Sequence, residues 1–448
     1  MTKRKNCMGW LVVLLVLGTG LVGAHASAAR MRKHTADMGW WRAARFGMFI
    51  HWGLYSEAAG YWHGKAIGGQ GPMIESMAHV PKQQFAQLAK SFNPTEFSAN
   101  KWVSVAKAAG MKYLVFTCKH HGGFCMFRTK ATRYNVVDAT PWHTDPSAAL
   151  AKACTQQGIR FCAYYSVMDW HTPYQMPVVA NSRHPTYVPM KFTPGGQGKY
   201  LQYMQTQLGE IITQYHPSLI WFDDSSWGLY GWNRHDARTI FDFVRRLDPT
   251  VIMNNRLDKW SKFRGYGDYR TPEGYVPRGG LPGAWETCMT MNDTWGYKRG
   301  DHNYKTVATL LKNLIKCASG GGNFLLDVGP TGKGVIPQPQ VQRLLAIGHW
   351  LKTNGDAIYN THRSPFGEPL MFGYATCKPG LIYLEVTRWP HDGKLLVPPV
   401  RHVTKAWLLA EPSKPLHFDS SSGGVVVEVP AHAPDKIASV VVLRVAGQ

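Results

Sequence analysis

The chain reads as a (β/α)8-like TIM barrel followed by a C-terminal β-sandwich, and three observations carry that reading. From about Met38 onward, short apolar runs alternate with longer helical ones. Polar and charged residues collect at the C-terminal ends of the apolar runs. After about Ser364 the helical period stops and only short β-type runs remain.

Taken in order, Phe46–His51 is the first predicted strand, and a helix is expected from Pro94 to Ala109, entered through Asn93-Pro94-Thr95. Lys112–Thr117 is the second strand and Pro146–Gln157 its helix. Ile159–Val167 with Tyr200–Tyr215, and Leu219–Phe222 with His235–Leu247, repeat the unit. Val251–Asn254 is a further strand, and the helix Thr306–Ser319 leads into the strand Asn323–Val328. Strands apolar on both faces and separated by helices argue a parallel sheet, and this many units argue closure into a barrel. Beyond Ser364, Leu381–Val386, Ala406–Leu409, Gly424–Val429 and Ser439–Val445 are β-rich runs separated by turn residues, the pattern of a sandwich. The expected division is 1–28, 29–363 and 364–448.

The first 28 residues have the pattern of a signal peptide. Lys3, Arg4 and Lys5 precede an apolar run from Trp10 to Val22, and Gly23–Ala28 offers small-residue cleavage points after Ala26 or Ala28. The apolar run is short for a membrane span, so the expectation is an exported protein, periplasmic or secreted. Seven cysteines follow this segment, an odd and widely spaced set without a CxxC pair. Mostly buried free thiols with at most one bridge are expected, and no structural zinc site.

The 448 residues carry 50 Lys+Arg against 28 Asp+Glu, a net charge of +22, with 44% hydrophobic residues. That apolar content excludes disordered and fibrous classes. The positive charges are scattered, with no run of three beyond residue 5, so no nucleic-acid partner is expected. Seventeen tryptophans are enough for some to serve as binding platforms. Trp52, Trp62, Trp170, Trp221, Trp227, Trp285 and Trp295 fall near the loops that would ring the barrel mouth. An aromatic ring offers the apolar face of a sugar a broad contact at low entropic cost.

Catalytic groups of a barrel sit at the C-terminal strand ends. Those ends here carry His51, Lys119-His120-His121, Asp169, Asp223 and Asn254-Asn255-Arg256. Asp223 directly follows the apolar run Leu219–Phe222, and Glu273 and Glu286 lie in Pro- and Gly-rich segments downstream. Retaining glycoside hydrolysis needs two carboxyl groups about 5 Å apart, one ionised nucleophile and one protonated acid. A catalytic metal is a competing reading of histidines beside aspartates, but adjacent His120 and His121 on an extended chain point to opposite faces and lack metal-pair spacing.

Nine motifs occur in one order: Arg45–Gly53, Lys119–Phe124, Asn135–Asp138, Tyr164-Tyr165-Ser166 with Asp169-Trp170, Trp221-Phe222-Asp223, Asn254-Asn255-Arg256, Thr271-Pro272-Glu273, Trp285-Glu286 with Trp295-Gly296-Tyr297, and Gly321–Pro330. Together they resemble the α-L-fucosidases of glycoside hydrolase family 29. The resemblance implies a retaining exo-hydrolase, independent of metal or other cofactor, that releases terminal α-linked L-fucose from glycans. It implies Asp223 as nucleophile and Glu273 as acid/base, with Glu286 as the alternative. His51, His120, His121, Tyr165, Trp221 and Arg256 match sugar-binding positions, and Trp295 matches the ring facing the fucose methyl. Many members carry a Glu-Trp pair where this chain has Gly69-Gln70-Gly71-Pro72-Met73. Glu75 is the nearest carboxylate that could replace it, and a related sugar such as L-galactose is the alternative substrate. A metal-dependent barrel hydrolase and a non-catalytic carbohydrate-binding protein are the rival classes.

Overall fold

In the computed structural model the described residues are 36–178, 188–223, 229–258, 265–366 and 370–446. Seven parallel strands form the central sheet: β1 Phe46–Ile50, β2 Tyr113–Lys119, β3 Arg160–Ser166, β4 Leu219–Asp223, β5 Ile252–Met253, β6 Glu286–Met289 and β7 Asn323–Val328. Their order is β5-β4-β3-β2-β1-β7-β6. The gap between β5 and β6 is bridged by a short extended segment within a stretch whose Pro and Gly content predicts a loop. Asp268 N donates to Met253 O and Asn255 N to Tyr269 O on one side. Arg270 N donates to Ala284 O, and Glu286 N to Arg270 O, on the other. Asp268–Arg270 thus closes the barrel. The strand β6 also has no sequence signal, because its four residues stand among prolines and glycines.

Helices α1 Ala99–Ala108, α2 Pro146–Gln157, α3 Gly196–Tyr215, α4 Arg234–Leu247, α5 Val307–Ser319 and α6 Gln338–Asn354 complete the barrel units. Their starts follow local capping. Ser98 accepts from Lys101 N, so α1 begins five residues later than the Pro94 expected. Asp145 caps α2 with Pro146 in its first turn, and Asn233 and Asp236 form a capping box on α4.

Two layers of core follow from the two faces of each strand. One face packs inside the barrel, where Phe49, Tyr113, Val115, Cys162, Tyr164, Trp221, Tyr269, Cys288 and Leu325 form one cluster. The other face packs against the helices, with Met48, Leu114, Tyr165, Phe222 and Leu326 among that cluster.

The C-terminal region is antiparallel throughout. Strands β8 Gly373–Lys378, β9 Leu381–Val386, β10 Lys394–Val397, β11 Val403–Leu408, β12 Glu411–Leu416, β13 Phe418–Ser421, β14 Gly424–Glu428 and β15 Ser439–Val445 form two sheets. The orders are β8-β9-β15-β11-β12 and β10-β14-β13, around a core that includes Ile382, Leu384, Leu395, Val427, Val441 and Leu443. Trp350 Nε1 of α6 donates to Ala438 O at 2.7 Å, and Thr376 Oγ1 of β8 to Ala357 O at 2.7 Å, tying this region to the barrel. Among the described residues no helix is long and apolar enough to cross a membrane. The seven described cysteines are all unpaired and six are buried, without the single bridge that had been allowed for.

Candidate active site

The C-terminal ends of the strands deliver their polar residues to one mouth. Asp223, the last residue of β4, is held through both oxygens. Arg256 Nη1 donates to Oδ1 at 2.7 Å and Tyr164 Oη to Oδ2 at 2.9 Å. Burial pushes the Asp223 carboxyl up more than any single neighbour lowers it, but the Arg256 charge, His121 and these two hydrogen bonds together outweigh burial and hold the group at about 2. Asp223 is therefore ionised at any physiological pH, the state a nucleophile requires.

Arg256 follows β5, where Asn254 orders the turn: its Oδ1 accepts from Phe222 N and its Nδ2 donates to Phe222 O, pinning it to β4. The guanidinium reaches Asp223 with one nitrogen and Glu273 Oε2 with the other, at 2.6 Å, while Nε donates to Thr271 Oγ1 at 2.9 Å. One planar group touching both carboxyls keeps them within a side chain's breadth of each other. Glu273 stands three residues beyond the barrel-closing segment and its side chain is 44% exposed, against 14% for Asp223. One carboxylate thus lies in the pocket and one at its rim.

Glu286 is placed differently. At the start of β6 it is fully buried and accepts from Tyr113 Oη at 2.5 Å, Trp221 Nε1 at 3.1 Å and Tyr269 Oη at 3.2 Å. Burial pushes its carboxyl up to about 7 despite those donors. It sits buried inside the barrel at the N–H edge of the Trp221 ring, which removes it from the position of an acid that meets a leaving group. The reason is register: Glu273 is paired with Cys288, two residues farther along β6 than Glu286.

Histidines line the opposite side. His51 Nδ1 is 2.7 Å from Asp327 Oδ1 at the end of β7, and Asp327 Oδ2 accepts from Gly296 N. His121 Nδ1 is 2.6 Å from Ser166 Oγ, whose own hydroxyl donates to Met168 O. His121 Nδ1 must then be the protonated nitrogen, leaving Nε2 as an acceptor 3.9 Å from Asp223 Oδ2. Burial holds His121 down to about 4 and His120 well below the usual range, so both are neutral. His120 stacks on Tyr164 at 5.3 Å and its buried Nδ1 has no hydrogen-bond partner among the described residues. Neutral imidazoles at this edge are hydrogen-bonding groups matched to hydroxyls. Among the described residues no group of three or more His, Cys, Asp or Glu is arranged to hold a metal ion. Gly123 follows this turn at φ 75°, and a Cβ there would lie 2.3 Å from Asp169 Oδ1.

Two expectations need correction. Tyr165 does not face the pocket: it donates from Oη to Gln207 Oε1 of α3 at 2.7 Å on the outer face of the barrel. Tyr164 takes the inner position because side chains alternate along β3. Glu75 does not replace the missing Glu-Trp pair beside Trp295, where Gln70 Oε1 accepts from Trp295 N at 2.8 Å. Glu75 is buried, with Asp169 and Lys82 as charged neighbours, its Oε2 lacks a hydrogen-bond partner among the described residues, and burial pushes it up to about 8. Of the seven tryptophans, Trp52 and Trp285 are core: Trp52 packs on Phe92, Phe97 and Trp102, and Trp285 lies against Gly322. Trp295 is 5.1 Å from His51, Trp170 is 5.8 Å from His121, and Trp221 floors the pocket. Trp62 stacks on Phe85, and Trp227 lies outside the described residues.

The residues not anticipated as site members, Tyr164 and Asp327, each had a signal. Asp327 is the next-to-last residue of the predicted strand Asn323–Val328, at the same C-terminal edge that Asp223 occupies after Leu219–Phe222. Tyr164 shares the inward parity that makes Cys162 and Ser166 face the same side.

A closed barrel presenting an ionised buried aspartate, a rim glutamate and neutral histidines around aromatic walls defines a retaining glycoside hydrolase. The family model for α-L-fucosidases matches residues 24–356, and the chain belongs to that family. It is 30% identical to human plasma α-L-fucosidase over 421 residues, 87% of this chain and 85% of that protein. The rat plasma enzyme is 31% identical over 415 residues, 87% of each chain. Among solved structures, a Bacteroides thetaiotaomicron family 29 α-L-fucosidase superposes with a TM-score of 0.82 at 30% identity, covering 91% of this chain and 94% of the other. A trapped covalent intermediate of a family 29 enzyme from the same organism gives 0.82 and 30%, covering 92% and 98%.

Proposed function

We propose that in this retaining α-L-fucosidase Asp223 is the nucleophile and Glu273 the acid/base, acting on terminal α-L-fucosyl units of glycans. Asp223 attacks the anomeric carbon and the glycosidic bond breaks, while the Glu273 carboxyl gives its proton to the departing oxygen. Glu273 then takes a proton from water, whose oxygen attacks the anomeric carbon and frees Asp223. The observation that carries this reading is the single Arg256 guanidinium spanning both carboxyls. Glu273 can carry its proton on Oε1 while Oε2 still accepts from Arg256 Nη2, and its exposure at the rim leaves that oxygen open to a departing group.

Hydroxyl recognition is assigned to His51, His120 and His121, and the contact with the fucose methyl to Trp295. An α-L-galactoside, which adds a hydroxyl on that methyl, should be cleaved about tenfold or more slowly, since the added group loses water against the ring. Mechanism is tested with variants. Asp223→Ala should lose more than about 10³-fold in kcat, on the scale of deleting a nucleophile. Azide should restore turnover in Asp223→Ala with inverted product and in Glu273→Ala with retained product. An active Glu273→Ala protein beside an inactive Glu286→Ala one would overturn the acid assignment.

The proposal of export rests on the basic start and apolar run of residues 1–28, which lie outside the described residues. N-terminal sequencing of protein recovered outside the cytoplasm should read a start at Ser27 or Ala29.

A further inference from the structure

Beneath the pocket lies a second carboxyl that the double displacement leaves unused. Three donors converge on Glu286: Tyr113 Oη on one oxygen, Trp221 Nε1 and Tyr269 Oη on the other. An ionised carboxylate can accept all three. A protonated one must aim its own O–H at a tyrosine hydroxyl and turn that group around, since the indole N–H can only donate.

The anchored ring is the floor on which both ligands of Asp223 rest. Tyr164, which holds Oδ2, stacks on Trp221 at 5.6 Å and 17°. Arg256, which holds Oδ1, lies with its guanidinium carbon 4.4 Å over the same ring. A tilt of the indole would therefore move both hydrogen bonds to the carboxylate at once. We infer that Glu286 is a positioning residue for the nucleophile, acting through Trp221, and that its ionised form sets the floor of the pocket. This rests on the reading of Asp223 as nucleophile.

The titratable groups facing Glu286 are Tyr113, Tyr269, Cys162, Cys288 and Cys317. Burial pushes all five up, so they stay neutral through the physiological range. Arg256 lies over a face of the Trp221 ring, whose N–H edge meets Glu286; it keeps its charge and faces Glu273 and Asp223. Glu286, pushed up to about 7 chiefly by burial, is then the member of this cluster whose charge changes near neutrality.

The test uses the full-length enzyme and an aryl α-L-fucoside. Glu286→Gln should lower kcat about 10–100-fold, the scale of a small misplacement of reacting groups, with KM within about threefold. Wild-type kcat should fall several-fold as pH drops through about 7 toward 5, and Glu286→Gln should lack that limb. Trp221→Phe keeps a ring but not the N–H, so it should show the same defect, and the double variant should lose no more than either single one. Labelling by 2-fluoro-fucosyl fluoride, followed by peptide mapping, reports the nucleophile itself. A label away from Asp223 overturns both readings. A label on Asp223 with multiplicative losses in the double variant, or with kcat of Glu286→Gln within twofold across pH, overturns the role of Glu286 alone. Should Glu286→Gln fail to fold, Trp221→Phe and Tyr269→Phe decide: an effect on KM without kcat overturns the proposal.

Discussion

Tyr164 and Tyr165 are chemically identical neighbours with opposite fates. One donates to the proposed nucleophile, and the other donates to Gln207 in the packing between β3 and α3. Tyr164→Phe should lower kcat/KM about tenfold with little loss of stability, because a charge-assisted hydrogen bond is removed from Asp223. Tyr165→Phe should leave kcat/KM within about twofold and cost about 1–3 kcal/mol in denaturant unfolding, since it strands Gln207 Oε1 in a buried site. The opposite pattern would show that the strand parity has been misassigned. Residue chemistry was legible at the strand ends, where His51, His121, Asp223 and Arg256 all reach the mouth. It was not legible between adjacent identical residues, because parity depends on where the barrel interior lies.

At the scale of elements, barrel closure depends on three residues that no periodicity announces. Asp268–Arg270 lies between Gly267 and the Thr271-Pro272-Glu273 run, too short to show an alternation. Gly267 has φ 151°, and a Cβ there would stand 2.4 Å from Asn254 O, so the chain can enter beside β5 only through glycine. Asp268 locks the segment: it accepts from Arg245 Nη2 of α4 through both oxygens, at 2.8 and 2.6 Å, and from Met253 N. Asp268→Ala should cost about 2–4 kcal/mol by removing a largely buried bidentate partner. It should also reduce kcat at temperatures where the protein remains folded, because Glu273 and Tyr269 are carried by this segment. Unchanged kcat in a folded Asp268→Ala protein would show that the Arg256 and Thr271 contacts suffice to place Glu273.

For the whole molecule, buried titratable groups set how stability varies with pH. Burial pushes Glu75 and Glu385 up to about 8 and Glu286 to about 7. The folded state therefore binds protons more tightly than the unfolded one, and this stabilisation, full below about 4.5, is lost as pH rises through 7 to 8. His121, held down to about 4, acts in the other direction: its contribution is present above about 6.5 and lost as pH falls through 4. Asp223, at about 2, loses its contribution only at still lower pH. Maximum stability should therefore fall on the weakly acidic side of neutral. Glu385→Gln should raise the Tm at pH 8 more than at pH 5, and thermal scans across pH would show it. If positioning the nucleophile needs ionised Glu286, activity rises over the range in which that group lowers stability, a conflict common at active sites. The net charge of +22 plays no part in this chemistry and is distributed over the molecule.

By itself the sequence determined the barrel-plus-sandwich architecture and the ordered motifs that mark the family. Apolar periodicity and strand-end polarity are local properties, written into consecutive residues. Tertiary structure decided the rest: that Tyr164 and not Tyr165 meets Asp223, that Glu273 stands at the rim while Glu286 is buried at the N–H edge of Trp221, and that Gln70 instead of Glu75 supports Trp295. Each of these depends on which face a side chain takes and how far along a closed barrel it sits. Those positions are set by register between strands far apart in sequence, such as the pairing of Glu273 with Cys288, and not by any residue's immediate neighbours.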